Sequence, residues 1–253
     1  MFGKKIFLLL TLSLIIISGQ IGVVRSQTVN RSYLSAKRPA PPRRIPPNKV
    51  KPGGGLDLGP QACSSESKSL IALIPIENPV LTTKSYPSFL FYLPDKPSAI
   101  SYGEFSLFTA DEKTRVYSAN VTLESTPGII KIDLPTSSQY ALKANKPYHW
   151  YFKIHCKHEA DKSELNSPTL LDVDGWIKRV TLTPNRASKI EAASPDIWYD
   201  AIALAAENLI ATPQDSTTRD RWLKLLQHIN REQLSNATIK TVTTTNNNFN
   251  EGN

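Results

Sequence analysis

The sequence predicts a mainly β protein, namely a seven-stranded antiparallel sandwich of the immunoglobulin-like type followed by a small C-terminal helical cap. Seven short segments between residues 70 and 183 carry strand-like apolar patterns, and Pro, Gly and Asp residues separate them. One segment, residues 148–156, alternates apolar with polar residues along its whole length. After Pro184 the apolar residues recur at helical spacing. A partly open β-barrel plus helices is the alternative, since strand patterns alone do not separate the two folds.

Residues 1–26 have the three parts of a secretory signal peptide. Lys4 and Lys5 precede an apolar run over residues 6–17, and small residues then lead to a cleavage site. An uncleaved membrane anchor is the alternative, but Gly19 interrupts the run before the about 20 apolar residues that a spanning helix needs. We therefore expect a secreted chain in the periplasm or at the cell surface, with no transmembrane segment once the signal is removed.

Residues 27–62 are basic and rich in Pro and Gly, and we expect them to form a disordered tether. They hold seven Lys or Arg residues and one acid, so their net charge is +6, whereas residues 63–253 carry −1. Nucleic-acid binding needs a basic patch on a folded surface, with aromatic residues that stack on bases. The basic balance belongs to the tether instead, which has one aromatic residue, Tyr33, so we expect no nucleic-acid partner. The tether fits an anionic envelope polymer or another envelope or surface protein. A solvated spacer without a partner is the alternative.

The predicted sandwich occupies residues 63–183, with residues 148–156 as a central strand. Successive side chains of a strand point to opposite faces, so the even positions of this strand, including Trp150, are expected in the core. Its odd positions should face outward and form the candidate binding surface. These residues are His149, Tyr151, Lys153 and His155.

Cys63 and Cys156 are the two cysteines of the chain. An even count in an exported protein favours a disulfide, which would fasten the end of the tether to the central strand. Closing so long a loop would stabilise the fold by about 4–5 kcal/mol in the chain-entropy description. Two separate thiols are the alternative, but His155 could not activate Cys156 because strand neighbours point to opposite faces.

Residues 184–230 are predicted to form a helical hairpin that caps the sandwich. Ser194-Pro195-Asp196 is a helix start, with a capping serine and proline at the first helical position. Apolar residues at helical spacing follow it, and a second amphipathic stretch surrounds Trp222. Residues 231–253 are rich in Asn and Thr, and we expect them to be a disordered tail.

The sequence contains no recognisable catalytic constellation, so we expect no catalytic residues, no cofactor and no metal site. His149 and His155 lie about 20 Å apart along their strand, too far to share a metal ion. A pair of carboxylates on the sheet face needs no local motif. A hydrolase acting on envelope polysaccharide or peptidoglycan is therefore the alternative to a non-enzymatic module.

Short motifs rich in Gly, Pro and aromatic residues follow one another in an order typical of one family. They include Gly59-Pro60-x-x-Cys63, Thr126-Pro127-Gly128-Ile129, Tyr148-His149-Trp150-Tyr151, Gly175-Trp176-x-x-Arg179-Val180 and Ile197-Trp198-Tyr199-Asp200-Ala201. From about residue 52 to 229 the chain resembles the secreted cyanobacterial family called domain of unknown function nine-two-eight. That family has no established activity, so the resemblance implies compartment and architecture but no catalytic residues. The resulting hypothesis is an exported β-sandwich with a binding or assembly role.

Overall fold

A computed structural model of the chain describes residues 63, 70–77, 79–157 and 170–246. The predicted signal peptide and tether lie outside the described residues, as does the end of the tail beyond residue 246. Within the described part of the chain, no helix is both long and apolar enough to cross a membrane.

The described residues form ten strands and three α-helices. The strands are β1 Ile71–Ala72, β2 Val80–Thr82, β3 Ser88–Leu93, β4 Ile100–Thr109, β5 Arg115–Val121, β6 Gly128–Asp133, β7 Pro147–Cys156, β8 Leu170–Arg179, β9 Ile239–Thr241 and β10 Thr244–Asn246. The helices are α1 Pro184–Glu191, α2 Trp198–Ala211 and α3 Ser216–His228.

The strands lie in two sheets, which confirms a mainly β fold but corrects the predicted topology. One sheet has the order β1-β3-β6-β9 and the other β10-β5-β4-β7-β8-β2. Most neighbours are antiparallel, but β2 pairs with β8 and β6 with β9 in parallel, so the sheets are mixed. The prediction of seven antiparallel strands missed strands such as β2, β9 and β10, because three residues are too few to show an alternating pattern. The described strands do not close into a barrel.

Aromatic side chains fill the space between the two sheets. Phe91 of β3 lies with its ring centroid 5.4 Å from that of Trp150 and 4.4 Å from that of Phe152, both on β7. Phe89 of β3 lies 4.7 Å from Phe105 of β4. All five side chains are buried, and burial of each such side chain contributes about 1.5–3 kcal/mol. The even positions of β7 therefore face the core, as the alternation predicts.

Two consecutive aromatic residues fix the start of α2 to the strands. Trp198 donates a hydrogen bond from Nε1 to the Leu73 carbonyl at 2.8 Å, just beyond β1. The Tyr199 hydroxyl accepts from Trp150 Nε1 at 2.7 Å, inside the core. Burial raises the pKa of Tyr199 well above its ordinary value, so this hydroxyl stays neutral. Both rings thus anchor α2 with their polar atoms satisfied.

Asp200, the next residue of α2, is a buried carboxylate bound to the end of β2. Its oxygens accept hydrogen bonds from the Thr82 hydroxyl at 2.6 Å and from the Thr83 backbone N–H at 2.9 Å. The Thr83 hydroxyl donates to it at 2.5 Å. The Trp198-Tyr199-Asp200 motif therefore serves packing: each of its side chains holds α2 to a different segment of the sandwich.

The helical layer also reaches the four-stranded sheet on the side away from the core. Lys131 of β6 points to that side and is buried, and its Nζ lies 2.6 Å from Asp133 and 3.2 Å from Glu207 of α2. Leu90 of β3, its partner in the register, is buried as well. α2 therefore reaches this sheet from the side away from the core. The candidate site lies on the outward side of the six-stranded sheet.

The first part of the predicted disordered tail is structured. Residues 232–234 form a short 3-10 helix, and β9 and β10 pair with β6 and β5. Leu234 and Ile239 are buried. The prediction that residues 231–246 are disordered is therefore wrong. Their composition is polar, but two buried apolar side chains and backbone pairing with β5 and β6 hold the segment in place. Threonine, which is frequent here, also favours strands.

Candidate functional site

The predicted outward row of β7 lies on the side of the six-stranded sheet opposite the core, which we call the outer face. In the register, His149 lies between Phe108 of β4 and Trp176 of β8. Two residues further on, Tyr151 lies beside Asp174 of β8. Lys153 then lies between Glu104 and Asp172, and His155 lies between Tyr102 and Leu170.

His149 lies at the centre of a hydrogen-bonded group on this face. Its Nδ1 is 2.8 Å from Glu112 Oε1, and its Nε2 is 2.7 Å from Asp174 Oδ2. The Tyr151 hydroxyl donates to the same Glu112 oxygen at 3.0 Å. The imidazole stacks on the Trp176 indole with ring centroids 4.3 Å apart and planes at 8°. We call Glu112, His149, Tyr151, Asp174 and Trp176 the His149 network.

Acids hold the His149 ring at both of its nitrogens, Nδ1 through Glu112 and Nε2 through Asp174. Turning the ring would break at least one of these contacts, and the nearly parallel Trp176 indole covers one of its faces. Only 6% of His149 is exposed, so these contacts replace most of its hydration.

Glu112 reaches His149 from a backbone conformation that favours glycine. Its φ is 56°, in the left-handed region that side chains with a Cβ rarely adopt. A tight turn holds it there, with its N–H donating to the Thr109 carbonyl at 2.8 Å. A hydrogen bond from the Thr109 hydroxyl to Asp111 also orders the turn and lowers the pKa of Asp111. Because unusual backbone conformations concentrate at functional sites, Glu112 marks this network as a candidate site.

A second group lies toward the Cys156 end of β7. Tyr102 and His155 stack with ring centroids 4.1 Å apart and planes at 12°, and 38% of Tyr102 is exposed. His155 Nε2 is 3.8 Å from Glu104 Oε2 and has no hydrogen-bond partner among the described residues. This end of the outer face therefore offers an aromatic ring beside an acid.

Cys63 and Cys156 are joined in a disulfide, with their Cα atoms 5.3 Å apart. The Cys63 N–H donates to the buried Asp95 carboxylate at 3.1 Å, which holds the bridge against the body. The predicted tether therefore ends at one end of β7, while His149 lies near the other end of the same strand.

The structure brings the predicted binding residues onto one face but into two separate groups. His149 and Tyr151 share the network, whereas His155 stacks with Tyr102 and Lys153 lies between them in the strand. Sequence patterns missed Glu112 and Asp174, because they lie 37 and 25 residues from His149 along the chain. Glu112 lies in the turn between β4 and β5, and Asp174 lies at an outward position of β8. These positions are the only signal that the sequence gives for them. A binding role for the row remains a prediction.

The chemistry available to the network is limited by the imidazole itself. The ring fills the space between the Glu112 and Asp174 carboxylates, so a substrate atom cannot enter between them as it does in a glycosidase pair. In the described ranges no group of three or more His, Cys, Asp or Glu side chains is placed to hold a metal ion.

No curated protein matches the chain, and no solved structure matches it. A protein family does match, over residues 51–239, a range that contains β1–β8 and all three helices. This range includes Trp176 and the Trp198-Tyr199-Asp200 motif, and it confirms the resemblance drawn from the sequence. The chain therefore belongs to the family described as Domain of Unknown Function (DUF928).

Proposed function

We propose that this protein is exported and acts as a binding or assembly module of the cell envelope, with the outer face around the His149 network as its working surface. The observation that carries the proposal is Glu112. Its side chain joins His149 and Tyr151 from a left-handed backbone position, and glycine would suit that position better.

A contribution to fold stability is a weak explanation for the His149 network. Desolvating charged groups offsets most of what their mutual attraction contributes, so buried ion pairs are weak sources of stability. The interior between the sheets is already filled by aromatic and aliphatic side chains. An imidazole ring fixed between two acids on the opposite side of the sheet is better explained as a pre-organised contact surface.

The chemistry of the outer face favours another envelope or surface protein as the partner. Tyr102 and Phe108 supply partly exposed aromatic surface, and aromatic side chains are enriched in protein interfaces. Glu104 and Asp172 add two acids to the same face, on either side of Lys153 in the register. A partner surface with apolar and basic side chains would complement this face.

The partner test is affinity capture from an envelope extract with the mature protein as bait. Glu112→Gly removes the carboxylate from the network and relieves the left-handed position, so the fold should tolerate it while capture is lost. Lys113→Gly alters a neighbouring exposed residue of the same turn and should leave capture unchanged. Equal recovery of one partner by the wild type and Glu112→Gly would contradict the proposal.

We further propose that residues 27–62 hold the module at an anionic envelope polymer. The segment carries the basic balance of the chain, and electrostatic retention weakens as salt screens the charges. Deleting residues 27–55 should release the protein from the envelope fraction, and added salt should release the undeleted protein. Fractionation that is unchanged by both treatments would mean that the segment is a spacer.

The hydrolase alternative has weaker support. It requires two carboxylates separated by a gap that admits substrate and water. On the outer face, Glu112 and Asp174 lie on either side of His149, and the His149 ring occupies the gap between them. Hydrolysis of envelope polysaccharide by the wild type, lost in Asp174→Asn, would favour the enzyme instead.

A further inference from the structure

The outer face is acidic over the stretch that runs from the His149 network to the far end of β7. Among the described side chains of this stretch, four acids surround one base. The acids are Glu104, Glu112, Asp172 and Asp174, and the base is Lys153. Two further bases lie at the opposite end of the face, where Arg115 lies over Phe108 and Lys178 follows Trp176. The acidic stretch therefore suits a basic ligand.

Aromatic rings lie at both ends of this acidic stretch. Tyr102, which is 38% exposed, stacks on His155 in the row nearest Cys156. At the other end, Phe108 and Tyr151 meet edge to face with their ring centroids 5.9 Å apart. Tyr102 and Phe108 are six residues apart on β4, which corresponds to about 20 Å along a strand. Aromatic surfaces of this kind bind proline-rich peptides, and they attract arginine.

Residues 42–52, which precede the described part of the chain, have the complementary chemistry. They include four Lys or Arg residues, four Pro residues and no acid. Proline favours the polyproline II helix, which rises about 3.1 Å per residue with three residues per turn. In that conformation residues 42–47 would span about 19 Å, close to the spacing of the aromatic rings. Pro42 and Ile45, three residues apart, would share one side of the helix.

The disulfide attaches this segment to one end of the acidic stretch. Cys63 is bonded to Cys156, and residue 47 precedes Cys63 by 16 residues. An extended chain of that length reaches about 50 Å, whereas His149 lies about 23 Å from Cys156 along β7. The segment is therefore long enough to cover the whole stretch. A contact within one chain has an effective concentration of about millimolar, so even weak docking would be populated.

We propose that residues 42–52 dock on the outer face of their own chain. The arginines of the segment would lie beside Glu104 and Asp172, and its apolar residues would pack on Tyr102 and Phe108. This inference rests on the proposed role of the outer face as a contact surface, and it makes the segment a regulator of that surface. The segment must leave before a partner binds, and an anionic polymer that takes up the segment would uncover the face.

Photo-cross-linking in the mature protein tests the contact directly. With p-benzoylphenylalanine in place of Ile45, irradiation should attach the segment to β4 or β7 of the same chain. Mass spectrometry of the digested monomeric product identifies the attached peptides. Absence of any cross-link to these strands would overturn the proposal. A cross-linked dimer in place of the monomeric product would mean that the segment docks on a second copy, and it would also overturn docking within one chain.

Charge reversal then identifies the side chains that hold the segment. Glu104→Lys combined with Asp172→Lys should lower the yield of the cross-link several-fold, because attraction becomes repulsion. Asp220→Lys combined with Glu232→Lys reverses two exposed acids outside the outer face and should leave the yield unchanged. Equal yields from the two double variants would show that the acids of the outer face do not hold the segment.

A variant of the segment protects this test against misfolding of the variant sheet. Arg43→Glu combined with Arg44→Glu changes no residue of the two sheets, and it should also lower the yield several-fold. Adding Glu104→Lys and Asp172→Lys to it makes the charges opposite again and should restore the cross-link. A full yield from Arg43→Glu with Arg44→Glu would refute the docking.

Affinity capture separates this inference from the proposed function. Arg43→Glu combined with Arg44→Glu uncovers the outer face and should recover several-fold more partner than the wild type. Equal recovery would overturn the regulatory role of the segment. A captured partner without the cross-link would overturn the docking and leave the proposed function standing. The cross-link without a captured partner would support the docking and contradict the proposed function.

Discussion

The side chains that hold the fold and those that define the candidate site come from neighbouring positions in the same motifs. Trp150 belongs to the core and hydrogen bonds to Tyr199, whereas His149 beside it turns to the outer face. Asp200 and Asp174 are both acids with short hydrogen bonds, but Asp200 binds threonines of the body and Asp174 binds a histidine of the surface. Residue type alone does not distinguish a residue that holds the fold from one that forms the candidate site. The residues to which its side chain hydrogen-bonds do distinguish them.

At this scale the sharpest stability prediction concerns Asp200. Asp200→Ala leaves the Thr82 hydroxyl and the Thr83 N–H buried without their acceptor, and each such loss costs about 1–3 kcal/mol. We expect the free energy of unfolding to fall by roughly 2–4 kcal/mol in denaturant titrations. Asp220→Ala, at an exposed position of α3, should change it by less than about 0.5 kcal/mol. Similar losses for the two variants would show that the buried carboxylate does not hold α2.

Elements differ in how far their sequence predicts them. β7 follows its alternation closely, because one face meets the core and the other carries polar groups. The same alternation placed His149 on the correct face but predicted exposure, and neighbouring strands instead bury it. β9 and β10 carry no pattern of their own, and they form because β6 and β5 offer unpaired backbone groups. Short strands therefore depend on partners that sequence periodicity does not reveal.

The start of α3 makes an element-scale prediction about pH. The Thr218 side chain and backbone N–H donate to the capping Asp215 carboxylate, and this lowers the pKa of Asp215 below 3.8. A carboxyl with a lowered folded pKa stabilises the fold above its ordinary pKa, and that contribution is lost as the pH falls through the folded value.

Asp215→Asn keeps an acceptor oxygen but removes the charge, so thermal melts should show the wild type more stable than Asp215→Asn at neutral pH. The difference should shrink as the pH falls below 3.8. Asp215→Ala should be less stable than Asp215→Asn, because it also loses the cap. A wild-type advantage that is constant across this pH range would contradict the assigned cap.

At the scale of the whole molecule, the sequence predicted the fold class and the order of the segments, but not that the C-terminal tail would pair with both sheets. Strands, then helices, then a polar tail were predicted, and the tail instead returns to both sheets. The His149 network shows the same limit, because it joins the β4–β5 turn, β7 and β8. Contacts between segments far apart in the chain depend on packing, and no local pattern encodes them.

Truncation tests whether the pairing of β9 and β10 with the two sheets supports the fold. A chain that ends after Arg231 loses β9 and β10 together with the buried Leu234 and Ile239, and its stability should fall by about 3 kcal/mol or more. A chain that ends after Asn246 keeps both strands and is the control. Equal melting temperatures for the two chains would show that the returning strands do not support the fold.

The disulfide has a mechanical consequence for a body held through its N-terminal segment. Tension that reaches Cys63 crosses the bridge to Cys156, because the bond closes a loop with a sequence separation of 93. That loop contains β1–β6, the β4–β5 turn with Glu112, and β7 itself. A pull between the two ends of the chain cannot extend these residues while the bond is intact, so most of the His149 network is shielded from tensile load. Reduction would place the same residues directly in line with the pull.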